Sequence, residues 1–212
     1  MALIFDKTVK KVLFTIVVAT LLWSVMFSPL TAPFVNFWWM MTASALTLAS
    51  LSAIFGGMWW KQLRFSFTDI VLGVFVAAAL WGIFWIGDKV SQLFFNFARP
   101  QVELIYGMKE GESPWLLTAL MLFIIGPAEE IFWRGYVQKN LSGKWGANMG
   151  FAVTTSVYAL VHAGSCNFML TMAALVAGFV WGALYRFFPE RFTAILISHA
   201  LWDVAVFVWF PI

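Results

Sequence analysis

Two adjacent carboxylates, Glu129 and Glu130, with Arg134 four residues on, lie in the run Gly126-Pro127-Ala128-Glu129-Glu130-Ile131-Phe132-Trp133-Arg134. The preceding stretch, Leu116 to Ile125, holds no charge. Ionisable groups in such an apolar run are costly, so they usually face the protein interior and mark a functional site. On a helix Glu130 and Arg134 are i, i+4 neighbours and can pair. Glu129 is turned by roughly 100° from Glu130 and has no such partner on its own helix. One carboxylate is then held as structure while the other stays free for chemistry. The competing reading is a salt bridge at the membrane edge, with Glu129 pointing to water.

The chain has two histidines, and both lie in apolar runs. His162 follows Ser156 and Tyr158; His199 follows Ser198 and has Asp203 at i+4, on the same helix face. Glu129, Glu130, Arg134, His162, His199 and Asp203 are nearly the whole ionisable inventory of the apolar segments, on three of them. Burying each alone would cost several kcal/mol, and clustering around a small wet cavity lowers that cost. Two chemistries fit. In one, Glu129 is a general base that deprotonates a water, His162 orients that water, and His199 with Asp203 stabilises the oxyanion of a tetrahedral intermediate. In the other, His162, His199 and a carboxylate hold a metal, with zinc first in line, and the metal activates the water. No HExxH is present and the i, i+4 pair His199/Asp203 is a weak metal signal, so the metal-free version is preferred and no cofactor is required, with zinc left open.

The elements that must carry these groups are membrane helices. Of 212 residues 62% are hydrophobic and 11% charged, against about 25% charged in soluble domains. The 13 Trp and 23 Phe suit lipid-facing surfaces and interfacial belts. The fold class is therefore all-α: a polytopic transmembrane helical bundle in a single integral-membrane domain, 1–212. Its N-terminal spans and one long polar loop occupy about 1–113 and a catalytic core about 114–210. A basic start, Met1 to Lys11, precedes the spans Val12–Phe27, Phe34–Trp60 and Ile70–Ile86; a signal peptide is the alternative for the first. The polar connection Asp88 to Ser113 contains an amphipathic stretch, Val90 to Phe97, that either lies along the membrane surface or is an ordinary loop. Ser113-Pro114 reads as an N-cap with Pro at the first helical position. The fourth span then runs to about Leu141, with a kink at Gly126-Pro127 and Ser142-Gly143 as its stop. Ala147–His162, Phe168–Phe187 and Phe192–Phe210 complete about seven spans. Ala173, Ala174, Ala177, Gly178 and Gly182 suit close helix packing.

With the N-terminus in the cytoplasm, the inner side holds Lys7, Lys10, Lys11, Lys61, Arg64, Arg134, Lys139, Lys144, Arg186 and Arg191, leaving Lys89, Arg99 and Lys109 of the 13 basic residues outside. That bias supports N-in/C-out. The net charge of +3 comes from such loop residues, and no basic patch interleaved with aromatics points to nucleic acid. The one cysteine, Cys166, excludes an intramolecular disulfide and reads as a buried free thiol. Depth sets a further condition. Glu129 and His199 fall near mid-membrane, whereas His162 lies about 9 Å beyond the centre of its span, so tilt or the Gly126-Pro127 break must close the gap.

At these residues the chain resembles the CAAX protease and bacteriocin-processing family, also called the Abi family, of intramembrane proteases. Its marks are EExxxR, here Glu129 to Arg134 followed by Gly135-Tyr136; FxxxH, here Tyr158 to His162 with Tyr in place of Phe; and HxxxN or HxxxD, here His199 to Asp203. Gly182 to Arg186 also resembles the pattern before the last motif. The resemblance covers about Leu116 to Val208. It implies a glutamate-dependent endopeptidase, with Glu129 as base assisted by His162, His199 and Asp203 as the oxyanion site, and Glu130 and Arg134 as a structural ion pair. The substrate would be a membrane-anchored or lipidated peptide or protein cut near its end. The setting would be the bilayer of a prokaryotic cytoplasmic membrane, without nucleic acid. Asp203 stands where the prenyl-protein enzymes carry Asn; an ionised Asp cannot donate to an oxyanion, so it is either protonated or orients His199. Two other classes compete: a non-catalytic bacteriocin self-immunity or peptide-binding membrane protein, and a small transporter with a proton relay. One helix break and no internal repeat rank the transporter last.

Overall fold

The computed structural model describes residues 6–212; the first five residues of the basic start lie outside the described residues. The helices, in chain order, are α1 (Lys7–Phe27), α2 (Phe37–Gly56), α3 (Phe67–Phe94), α4 (Ala98–Gly107), α5 (Pro114–Trp145), α6 (Ala147–His162), α7 (Phe168–Phe187) and α8 (Pro189–Trp209). Among the described residues there is no strand. Six of these helices, α1, α2, α3, α5, α7 and α8, are long and apolar enough to cross a bilayer. The remaining expected span, α6, has 16 residues. It rises about 24 Å, short of a hydrocarbon core of about 30 Å, and packs against α7, α5 and α1.

The outer helices such as α1 bury one stripe and turn the rest outward, whereas α5 over 128–138 and α8 over 192–203 are buried almost all round. On α1 the buried positions Val9, Val12, Thr15, Ala19, Trp23 and Met26 follow one another at spacings of three or four, with Phe27 buried beside the last, while Phe14 and Leu21 are exposed. That is a one-sided helix whose other face suits lipid. Asp6 caps α1 by accepting from the Thr8 and Val9 amides at 3.0 and 2.9 Å. It also pairs with Lys144 at the end of α5, which lowers its carboxyl pKa. On α7 the small residues let α6 approach closely: a methyl at Gly178 would meet Tyr158 Cδ1 at 2.8 Å and one at Gly182 would meet Thr155 Oγ1 at 3.0 Å. This is the packing role expected of them.

Several boundaries differ from the sequence reading. Asp88 to Phe94 continues α3, and the separate helix in the polar connection is α4, starting at Ala98, so the amphipathic stretch Val90–Phe97 is divided between them. Charges at a helix end resemble a loop in the sequence, yet Gln92 Nε2 and Lys89 Nζ bind Asp88 at 2.6 and 3.2 Å and keep the turn intact. Pro114 occupies the first turn of α5 as expected, but the Ser113 side chain makes no capping bond. Helix α5 runs past Ser142-Gly143 and stops at Gly146, whose φ of +86° ends it at no steric cost. Cys166 is exposed, not buried, at the left-handed residue (φ +54°) of the turn after α6.

Gly126-Pro127 is accommodated by a wide turn. Residues Met121–Ile125 form a π-helical segment that closes with the Gly126 amide on the Met121 carbonyl, an i→i+5 bond that absorbs the local mismatch. Two more such turns, Trp133–Gln138 in α5 and Val204–Trp209 in α8, flank the conspicuous charges. At Gly126 the chain also meets α8 backbone to backbone: an added Cβ would lie 2.9 Å from Ala200 Cα and 3.0 Å from Ala200 N. Gly126→Ala must therefore push α5 and α8 apart beside Glu129 and His199. It is expected to cost about 1–3 kcal/mol of stability, read as a lowered unfolding midpoint in detergent.

Candidate active site

The innermost group is the ion pair on α5. Arg134 Nη1 donates to Glu130 Oε1 at 2.7 Å, and both side chains are fully buried. The guanidinium also donates through Nη2 to the Gly178 carbonyl of α7 at 3.1 Å. It lies between the rings of Tyr158 and Trp181, at 4.9 and 5.7 Å, an arrangement that suits a planar, weakly hydrated cation. The same Glu130 Oε1 sits 2.6 Å from His199 Nδ1 on α8. With Arg134 donating to that oxygen, Glu130 is the acceptor, so His199 Nδ1 carries the proton. Trp181 stacks on the imidazole, centroids 3.8 Å apart and planes at 16°, and is itself fixed by Nε1–H donation to Ser198 Oγ at 3.1 Å. His199 Nε2 is then the nitrogen that faces Asp203, 3.5 Å from its Oδ2.

Glu129 is also buried, at 5% exposure, but it faces a different way. It lines a cavity of about 610 Å³ together with Tyr158, His162, His199 and Asp203. The remaining wall is mostly apolar, from Phe27, Trp38 and Met121 among others. The size falls within the range typical of ligand pockets. Glu129 Oε2 accepts from Tyr158 Oη–H at 3.1 Å, the group that distinguishes this chain's FxxxH-like motif. Thus the two adjacent glutamates diverge as their helical spacing requires: Glu130 toward Arg134 and His199, Glu129 toward the cavity.

His162 reaches the same cavity by a route the sequence did not disclose. Its ring lies 5.1 Å from that of Tyr158, and Tyr158, one turn earlier on α6, spans the remaining distance to Glu129. No hydrogen bond joins His162 to Glu129: Nδ1 is 2.7 Å from the Tyr158 carbonyl and Nε2 accepts from Trp23 Nε1–H at 3.1 Å. Both ring nitrogens are therefore engaged, which leaves neither to orient a water in this arrangement. Trp23, Tyr158 as a hydrogen-bond donor and Trp181 are the site residues that sequence reasoning missed. Only Tyr158 carried a signal, as the departure from Phe.

For a metal the donors fit poorly. Among the described residues no three His, Cys, Asp or Glu side chains converge as a metal site, and the two histidines are held by Trp23, Tyr158 and Glu130.

The cavity thus brings Glu129, His162, His199 and Asp203 together within a bundle of apolar helices. Residues 111–205 match the family model described as type II CAAX prenyl endopeptidase, Rce1-like. The matched segment contains all three motifs, and over it the chain is similar to that family, in line with the motif resemblance. No curated protein and no solved structure matches the chain.

Proposed function

We propose that this protein is a glutamate-dependent intramembrane endopeptidase, with its N-terminus on the cytoplasmic side, that cuts a lipidated, prenyl-type or otherwise membrane-anchored substrate near its end. The observation that carries the proposal is the placement of Glu129. It is a buried carboxylate without a cationic partner of its own, presented to an apolar cavity beside His199 and Asp203. The family match supports the CAAX-type class and a prenylated substrate, and the apolar wall suits an apolar chain.

In this reading a water beside Glu129 gives its proton to the carboxylate as its oxygen attacks the scissile carbonyl carbon. The carbonyl oxygen becomes an oxyanion next to His199 Nε2. For that nitrogen to donate, His199 must carry protons on both nitrogens, a state compatible with a carboxylate at each: Glu130 at Nδ1 and Asp203 at Nε2. When the tetrahedral intermediate collapses, the C–N bond breaks and Glu129 returns its proton to the leaving amine. Tyr158 Oη–H holds the carboxylate's other oxygen in place. Asp203, a carboxylate, orients and balances His199 and is not itself the donor.

Asp203→Asn supplies an N–H where an acceptor stood and is expected to stay within about tenfold of wild-type turnover. Asp203→Ala leaves Nε2 unoriented and is expected to lose about 10²-fold, the scale of one oxyanion group. The proposal as a whole is tested by incubating lipidated and unlipidated C-terminal peptides with the protein in nanodiscs and reading products by mass spectrometry. Cleavage by the wild type and none by Glu129→Gln is the expected result. Saturable peptide binding with no product from any substrate would favour a peptide-binding protein instead.

A further inference from the structure

Helix α1 lies outside the matched segment and carries none of the three motifs, yet it contributes a contact to the site. Trp23 is fully buried and its indole points at His162, with ring centroids 6.1 Å apart and planes at 82°. The hydrogen-bond roles at His162 are dictated by its partners. A backbone carbonyl only accepts, so Nδ1, 2.7 Å from the Tyr158 carbonyl, carries the proton. An indole N–H only donates, so Nε2, 3.1 Å from Trp23 Nε1, presents its lone pair. A neutral imidazole has one N–H and one lone pair, and here both are committed.

We propose that Trp23 is a positioning residue of the active site, whose indole N–H holds His162 as the neutral Nδ1–H tautomer with Nε2 occupied. The inference rests on the endopeptidase reading and deepens it. With Nε2 bound to the indole, His162 offers the cavity part of its ring and neither a lone pair nor a proton. The water's proton then goes to Glu129. Without the indole, Nε2 has an open lone pair in an apolar surrounding, where it draws a water away from Glu129 and lets the ring rotate. The ring of Phe27, 5.5 Å from His162, packs against the imidazole but has no N–H to replace the lost donor.

The chain has only two histidines, so nitrogen-15 spectra of histidine-labelled protein in nanodiscs resolve the site directly, and His199→Asn assigns the signals by subtraction. At neutral pH wild-type His162 is expected to show a protonated Nδ1 and a hydrogen-bonded, unprotonated Nε2. Trp23→Phe keeps an aromatic ring against His162 and removes the N–H. It is expected to shift the Nε2 signal toward that of an unbound lone pair and to lower kcat ~10–100-fold with KM changed less than about twofold. Trp23→Gln, which returns an N–H on a shorter side chain, is expected to recover part of both. A wild-type His162 protonated at Nε2 overturns the proposal even if neither variant folds. So does an Nε2 signal unmoved by Trp23→Phe, or a moved signal with unchanged kcat. If the wild type cleaves nothing, the endopeptidase reading and the positioning role fall together, while the spectra still decide the tautomer.

Discussion

Glu129→Gln is expected to fold like the wild type and to lose about 10²–10⁴-fold in kcat, the range that a positioned general base contributes. Gln has the size of Glu and its amide oxygen can still accept the Tyr158 hydroxyl, so the 3.1 Å contact across α5 and α6 can survive. What is lost is the ability to take a proton. The change also removes a buried carboxylate with no cation of its own, so stability is expected to hold or rise, since a buried charge without a partner is costly. KM is expected to move little, because the apolar cavity wall is untouched and an interaction made in the transition state is the one removed. Turnover of Glu129→Gln within about tenfold of wild type would assign the base elsewhere.

What the sequence disclosed about this site follows helical geometry. The i, i+4 spacing foretold the Glu130–Arg134 pair, the shared face of His199 and Asp203, and the divergence of Glu129 from Glu130. Spacing along one helix carries no information about neighbours across helices. Hence His199 Nδ1 on Glu130, the Gly178 carbonyl on Arg134 and the Tyr158 hydroxyl on Glu129 were not legible. Trp23 was hidden by composition. In a chain with 13 Trp, one more at a helix end looks like an interfacial anchor, and its indole N–H becomes meaningful only once α1 is known to lie against α6. The helix ends were misplaced where local chemistry overrides hydropathy, as at Asp88, whose bonds to Lys89 and Gln92 sustain α3 beyond its last apolar run. At Gly126-Pro127, where the sequence predicts a kink, the helix carries a wide turn just before the proline, because a residue inserted into the helical ladder can absorb a proline without ending the helix.

Arg134→Met is expected to cost the most stability of any single change in the site. Arg134 and Glu130 have no exposure, and removing Arg134 leaves the buried Glu130 charge with only His199 Nδ1–H to meet it; breaking a buried pair costs about 3–5 kcal/mol. The variant also gives up the bond to the Gly178 carbonyl and the packing between Tyr158 and Trp181, which would loosen α5 from α6 and α7. Pairing it with Glu130→Leu separates structure from chemistry. The double variant removes both charges and fills the site with apolar atoms, an exchange that is often close to neutral, so its unfolding midpoint is expected to recover in large part. Recovery stops short of complete because His199 Nδ1–H loses its acceptor, about 1–3 kcal/mol for a buried donor left unmet. Turnover is not expected to recover, since Glu130 is also what fixes the tautomer and direction of His199. Thermal unfolding and peptide cleavage measured on the two single variants and the double form a cycle that reads these terms apart. A double variant that regained cleavage along with stability would show that His199 needs no carboxylate at Nδ1, and the oxyanion assignment would have to be withdrawn.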